Sequence, residues 1–263
     1  MNNPYLAFFK ISIKDKLAYP KDYILSTVGR LLTYMFMIFV WNIIYIGGHL
    51  TTIANFNLLQ IDAYFVIGGA VFLLMDSMND FIVSDDIKTG KITRSLIKPV
   101  NYVYMVFTES LADNTLSLLP AFIVIVVTLY YLGISTNLLS IIAFIIIMLI
   151  GYTIINIMRF IIGSFAIYTT SAFGISILLT SIIAILGGEI MPLTFFPSYI
   201  SNITSILPFQ MFIYVPTAIL IGTIPSSAYL YYIFLGIVWI LALTVFGHFF
   251  WKHIKKKISS AGG

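Results

Sequence analysis

Cysteine is absent from this 263-residue sequence, and charge is scarce, with 9% of residues Asp, Glu, Lys or Arg. Without cysteine there is no disulfide framework, no thiolate metal site and no Cys nucleophile. A soluble domain carries about 25% charged residues, so this chain cannot coat a water-facing surface. That excludes a soluble enzyme, an intrinsically disordered regulator and a nucleic-acid-binding domain. A third scarcity is positional: no Lys or Arg occurs between Arg159 and Lys252. What is abundant is apolar, with 60% hydrophobic and 16% aromatic residues and a mean hydropathy of +1.03. That surplus must face lipid. Helices satisfy their own backbone hydrogen bonds there, and the chain reads as an all-α, polytopic membrane protein.

The few basic residues cluster. Lys10, Lys14, Lys16, Lys21 and Arg30 form one group, Lys88, Lys91, Arg94 and Lys98 a second, and Lys252, Lys255, Lys256 and Lys257 a third, with Arg159 alone. A span needs about 20 mostly apolar residues. Six are expected: Thr27 to Ile46, Ala63 to Val83, Tyr104 to Tyr131, Leu139 to Phe160, Ala172 to Leu193 and Ala228 to Trp251. Basic residues near span ends are retained in the cytoplasm. Both termini and the second loop are basic, whereas the loops after spans one, three and five lack Lys and Arg. Both termini are therefore expected inside. Residues 1–22 do not read as a signal peptide, because charges interrupt the apolar residues. Leu6, Phe9, Ile13 and Leu17 recur at helical spacing, so residues 1–26 are expected to hold an amphipathic helix in the inner interface. Residues 27–263 form the six-span unit.

Four groups of residues could carry function. The loop 84–99 is the most polar stretch, with Ile87, Ile92, Leu96 and Ile97 giving it an apolar side and Gly90 and Pro99 punctuating it. A short amphipathic helix there suits docking of a soluble partner, or anchoring on anionic lipid. Thr89-Gly90-Lys91 is not a phosphate loop: Asp85 stands where that motif needs Gly, and Ile92 where it needs Ser or Thr. Asp76 and Asp80 are four apart on span two, as are Glu109 and Asp113 on span three, so each pair is expected on one helix face. Ionisable groups at that depth serve either ion pairing, with Lys88, Arg94 or Arg159 as partners, or a proton or cation path. Glu189 lies in Gly187-Gly-Glu-Ile-Met-Pro192, where it either faces a translocation path or binds backbone amides of a broken helix. Residues 192–227 hold Pro192, Pro197, Pro208, Pro216 and Pro225 among apolar pieces too short to span, which suggests re-entrant or interfacial helices. His49, His248 and His253 are scattered with no metal-ligand spacing, and no metal site or catalytic constellation is expected.

Together these stretches resemble the permease subunit of ABC-2-type transporters, in the branch that includes drug and viologen exporters. One carrier is the N-terminal helix leading into Tyr19-Pro-Lys-Asp-Tyr23, with Trp41-Asn42 late in span one. Another is Ile87-Lys-Thr-Gly-Lys-Ile-Thr-Arg-Ser-Leu-Ile-Lys-Pro-Val-Asn101, followed by Glu109; Lys98 stands where Arg is commoner. The third is Gly187-Gly-Glu-Ile-Met-Pro-Leu-Thr-Phe-Phe-Pro197, then Leu207-Pro-Phe209, Pro216 and Gly222. The resemblance implies a multi-pass, non-catalytic permease of a bacterial inner membrane. Its coupling helix would lie in 84–99, using Ile87, Lys88, Gly90, Lys91, Ile92, Arg94, Leu96 and Lys98. An outer gate would lie in 192–227 with Glu189, Pro192, Pro197 and Pro208. It also implies two copies of a separate ABC ATPase, a second permease chain identical or related, and ATP and Mg bound on the ATPase rather than here. The rival reading is an ion- or proton-coupled secondary transporter using Asp76, Asp80, Glu109 and Asp113.

Overall fold

The computed structural model describes residues 4–18, 20–54, 56–169 and 173–261. Tyr19 and Ala172, the expected starts of the Tyr19 to Tyr23 motif and of span five, lie outside them. Nearly all of the described chain is helical. Among the described residues, five stretches are long and apolar enough to cross a membrane: Thr27–Gly47, Leu58–Lys88, Tyr102–Tyr131, Leu138–Ile167 and Ser226–Ile258.

Helix α1 (Pro4–Ala18) lies along α6 (Tyr102–Tyr131). Lys16 donates from Nζ to the Asp113 carbonyl at 3.0 Å, and Lys98 sits 5.8 Å above the Phe8 ring. Phe9 and Ile13 are half-buried, while Leu6 and Leu17 are exposed. Helix α2 (Pro20–Gly47) runs without interruption from the polar segment into the apolar one. A two-stranded hairpin, β1 (Thr52–Ile53) and β2 (Phe56–Asn57), reverses the chain. Asn57 then caps α3 (Leu58–Met75): its side chain accepts from the Gln60 amide while Gln60 returns a bond to the Asn57 amide. That reciprocal box satisfies two otherwise orphaned donors.

The expected second span is not one helix. It stops at Met75, passes through Asp76 in extended conformation, and restarts as α4 (Asn79–Lys88). Gly90, at φ +72°, then turns the chain into α5 (Lys91–Ile97). Asp76 and Asp80 thus flank a break and do not share a face, which corrects the expectation from their spacing. Helix α7 (Leu138–Ser164) packs against α4 at Gly163. A Cβ there would lie 2.7 Å from the Asp80 carbonyl oxygen and 2.8 Å from Val83 Cβ, so only glycine allows this approach.

The expected fifth span also differs. Helix α8 (Phe173–Leu186) has 14 residues, about 21 Å at 1.5 Å per residue, short of a hydrocarbon core about 30 Å thick. The chain after it turns at Gly187 and Gly188. It continues through a 3-10 turn at Leu193–Phe195, α9 (Ser198–Thr204), a second 3-10 turn at Pro208–Met211 and α10 (Tyr214–Ile221). Every residue of α10 is buried. A helix apolar on all sides belongs inside, and α10 sits against α3 and α7. Gly222, at φ +81°, ends it with its N–H toward Ala218 and Ile219. Helix α11 (Tyr229–Ala261) completes the fold against α7. The main core joins α3, α7 and α10, and a smaller one joins Val83, Ile92, Tyr102, Phe160, Trp251 and Ile254 at the basic end.

Candidate functional site

The α4–α5 hairpin stands at the basic end and divides its side chains by face. Ile92 is 1% exposed and belongs to the smaller core, with half-buried Ile87 and Leu96 packed against it. Lys88, Gly90, Lys91, Arg94 and Lys98 are exposed, and Ile97 is 80% exposed. Lys91 pairs with Asp85 at 2.8 Å, and the neighbouring carboxylate raises the Lys91 pKa. Nothing lies within 4 Å of a Cβ at Gly90, so its positive φ, and not crowding, is what calls for glycine. The hairpin thus exposes Ile97 and four cationic side chains, while Ile87 and Ile92 hold it to the bundle.

Helix α4 ties this hairpin to the break at 76–78. Asp80, fully buried in its first turn, accepts from Arg159 Nη1 at 3.1 and 3.2 Å, and Arg159 is 8% exposed. The ion pair therefore spans α4 and α7 where Gly163 lets them touch. Next to it, Asn156 Oδ1 accepts from Asn79 Nδ2 at 2.6 Å, Ser110 Oγ at 2.7 Å and Ser77 Oγ at 3.0 Å. Asn114 donates to the Leu74 carbonyl at 3.1 Å, taking up an acceptor that α3 would otherwise have used itself. A break in a membrane helix requires such replacements. Asp76, on the other side, pairs with Arg30 of α2 at 2.7 Å, and Arg30 also lies 4.9 Å above the Phe72 ring.

Glu109 and Asp113 lie half-buried on the continuous α6. Charged groups around Glu109 include Asp86, Asp113, Lys98 and Asp15. The expected partner Arg159 takes Asp80; Lys88 and Arg94 stay on the exposed hairpin. Arg30, Asn79, Asn156, Ser110 and Ser77 were not singled out from the sequence as site residues. Their signal was available, since amides and an arginine inside apolar runs need partners.

At the opposite end, Glu189 follows Gly188, whose φ is +86°. Three elements clamp this turn. Tyr64 donates from its hydroxyl to the Gly188 carbonyl at 2.6 Å, the Tyr214 amide to the Gly187 carbonyl at 2.9 Å, and Trp41 Nε1 to the Ile190 carbonyl at 3.4 Å. The Glu189 amide closes onto Ala184, while its side chain is half-buried and within the field of Arg30. Pro192, Pro197 and Pro208 each stand at the start of a short helical piece. Their fixed φ and missing N–H suit that position.

A family model described as ABC-2 family transporter protein matches residues 31–262. No curated protein matches the chain.

Proposed function

The chain belongs to the ABC-2 family transporter proteins, and on that premise we propose that it forms half of the translocation path of an ABC exporter. As an ABC transporter permease component it is a multi-pass membrane protein. A separate ABC ATPase, present in two copies and carrying the ATP and Mg, supplies the energy. The cargo is an amphipathic or hydrophobic molecule: a drug, a peptide antibiotic or a lipid. The observation that carries this reading is the α4–α5 hairpin, which exposes Ile97 together with Lys88, Lys91, Arg94 and Lys98. Its root is fixed to α7 by the buried Asp80–Arg159 pair. A push on the outer face would pass along α4 to the helix break, because α4 is about 15 Å of rigid rod.

In this reading both termini and the hairpin lie in the cytoplasm and the membrane is the inner one. Helix α8 and the clamped turn after it make the sixth crossing, and the pieces from Pro192 to Ser227 form re-entrant outer helices that gate exit beside Glu189. A second permease, identical or related, covers the exposed side of α2, since only 6% of its apolar stretch is buried. The ion-coupled alternative is disfavoured by the pairing of two of its four acids, Asp76 and Asp80, with arginines.

The test is to purify the chain from its native membrane in mild detergent and identify what accompanies it, then repeat with Arg94→Glu and Ile97→Asp together. Both positions are exposed, so the fold should survive. A P-loop ATPase present with the native chain and lost with the variant supports the reading. An ATPase retained by the variant removes the hairpin as the docking element. Solute movement in liposomes under a proton gradient, with no ATPase present, would instead establish the ion-coupled transporter.

A further inference from the structure

Beside the hairpin, α6, α7 and α11 diverge around an open groove of about 620 Å3. Its chemistry changes along its length. Phe107, Ile157 and Ile161 line the part that extends up the helices. Lys252 and Lys255 line the other end, near the last turns of α11, with Asn101 at the N-cap of α6. The two lysines are three residues apart and so share a helix face. Both are exposed, and no acidic residue lines the groove. Trp251, which also lines the groove, is buried, stacked on Tyr102 at 5.6 Å and edge-on to Phe160 at 5.0 Å.

An occupant of this groove must bring negative charge to two ammonium groups and hydrocarbon to the channel behind them. Basic pockets between membrane helices meet those terms with anionic lipid. We propose that the groove binds one anionic phospholipid, its phosphate between Lys252 and Lys255 and one acyl chain lying along Phe107, Ile157 and Ile161. Gly247 gives the acyl chain its room. A Cβ there would meet Ile161 at 3.4 and 3.5 Å and Ile157 at 3.8 Å, ordinary contacts that leave the helices in place. A larger side chain would lie across those two isoleucines and occupy the channel without touching either lysine.

Native mass spectrometry of the detergent-purified protein, with any partners it retains, tests this by comparing phosphatidylglycerol with phosphatidylcholine of the same acyl chains. One phosphatidylglycerol per chain should stay bound under conditions that strip phosphatidylcholine. Lys252→Gln with Lys255→Gln should weaken that retention at least tenfold. Gly247→Leu should weaken it comparably with the charge unchanged, and Lys256→Gln, outside the groove, should not. Equal retention of both lipids would overturn the proposal, as would undiminished retention in the double lysine variant. Equal loss in Lys256→Gln would also overturn it, since diffuse surface charge would then suffice. The readout needs no ATPase, so its failure would leave the exporter reading standing, and the reverse.

Discussion

The two ends of this molecule each interrupt a membrane helix, and they bury the exposed backbone by opposite means. At the basic end the break at 76–78 is filled with polar side chains: Asn156 gathers three donors and Asp80 takes Arg159. At the other end the turn at Gly187 and Gly188 is closed by backbone contact and the Tyr64 hydroxyl, then sealed by the fully buried apolar α10. The first solution depends on charge and hydrogen-bond balance, the second on volume. On the proposed coupling role the basic end is the part that is pushed, and the first solution suits it better. Hydrogen bonds and ion pairs have discrete alternative partners, whereas close packing admits little rearrangement. Arg159 Nε and Asn79 Oδ1 are buried without partners, leaving capacity for a second arrangement of this network.

The largest effect is expected where charge balance is disturbed. Arg159→Met leaves Asp80 buried and unpaired and should cost about 3–5 kcal/mol, while Asp80→Leu combined with Arg159→Met should recover most of it. Thermal unfolding of the purified protein across the double-mutant cycle measures both. Failure of the double variant to recover would mean that the pair's neighbours, and not its charges, hold α4 to α7. If the hairpin couples to an ATPase as proposed, the recovered variant should fold yet transport poorly.

Next in size is a change of volume at the opposite end. Gly188→Ala places a methyl 2.6 Å from the Tyr64 hydroxyl and 2.8 Å from Tyr214 Cβ, at a φ of +86°. The backbone conformation costs about 1–2 kcal/mol for any residue with a Cβ, and overpacking adds about 1–3 kcal/mol. A loss of about 2–5 kcal/mol in the same unfolding measurement is expected. By contrast a charge change nearby, Glu189→Gln, should move stability much less than Arg159→Met does. If Glu189→Gln proves as costly, the apolar end also relies on charge.

Much of this contrast could be read in the sequence, but unevenly. The expected spans Thr27 to Ile46, Tyr104 to Tyr131, Leu139 to Phe160 and Ala228 to Trp251 all fall on long apolar helices, because continuous hydropathy is a local property. The polarity of the stretch 84–99 was equally plain, though not that helix α4 would begin at Asn79. The break after Met75 was not, since no Pro or Gly marks it and the i, i+4 spacing of Asp76 and Asp80 imitates a helix face. Its stabilising partners, Ser110, Asn114 and Asn156, lie more than 30 residues away. Gly187, Gly188 and Pro192 did announce a disturbed helix end, yet the depth of α10 depends on its fit against α3 and α7. The outward position of Ile97 and the inward one of Ile92 also required the hairpin's packing, as both lie on the apolar side of a loop too short to reveal its orientation.

The smallest expected effect separates the two arginine–carboxylate pairs. Arg30–Asp76 is the shorter, at 2.7 Å against 3.1 Å, so contact distance alone would make it the stronger. Its side chains are 25% and 28% exposed, however, where those of Arg159 and Asp80 are 10% and 0%. A partly hydrated pair contributes about 0–1 kcal/mol, to which the position of Arg30 over Phe72 adds about 0.5–1 kcal/mol. Against this, Arg30 Nη1 is buried without a partner, so removing it also removes an unmet donor. Arg30→Met should therefore cost no more than about 1 kcal/mol in thermal unfolding, several-fold less than Arg159→Met. Comparable losses would show that burial does not rank these pairs, and that the break is held as firmly from α2 as from α7.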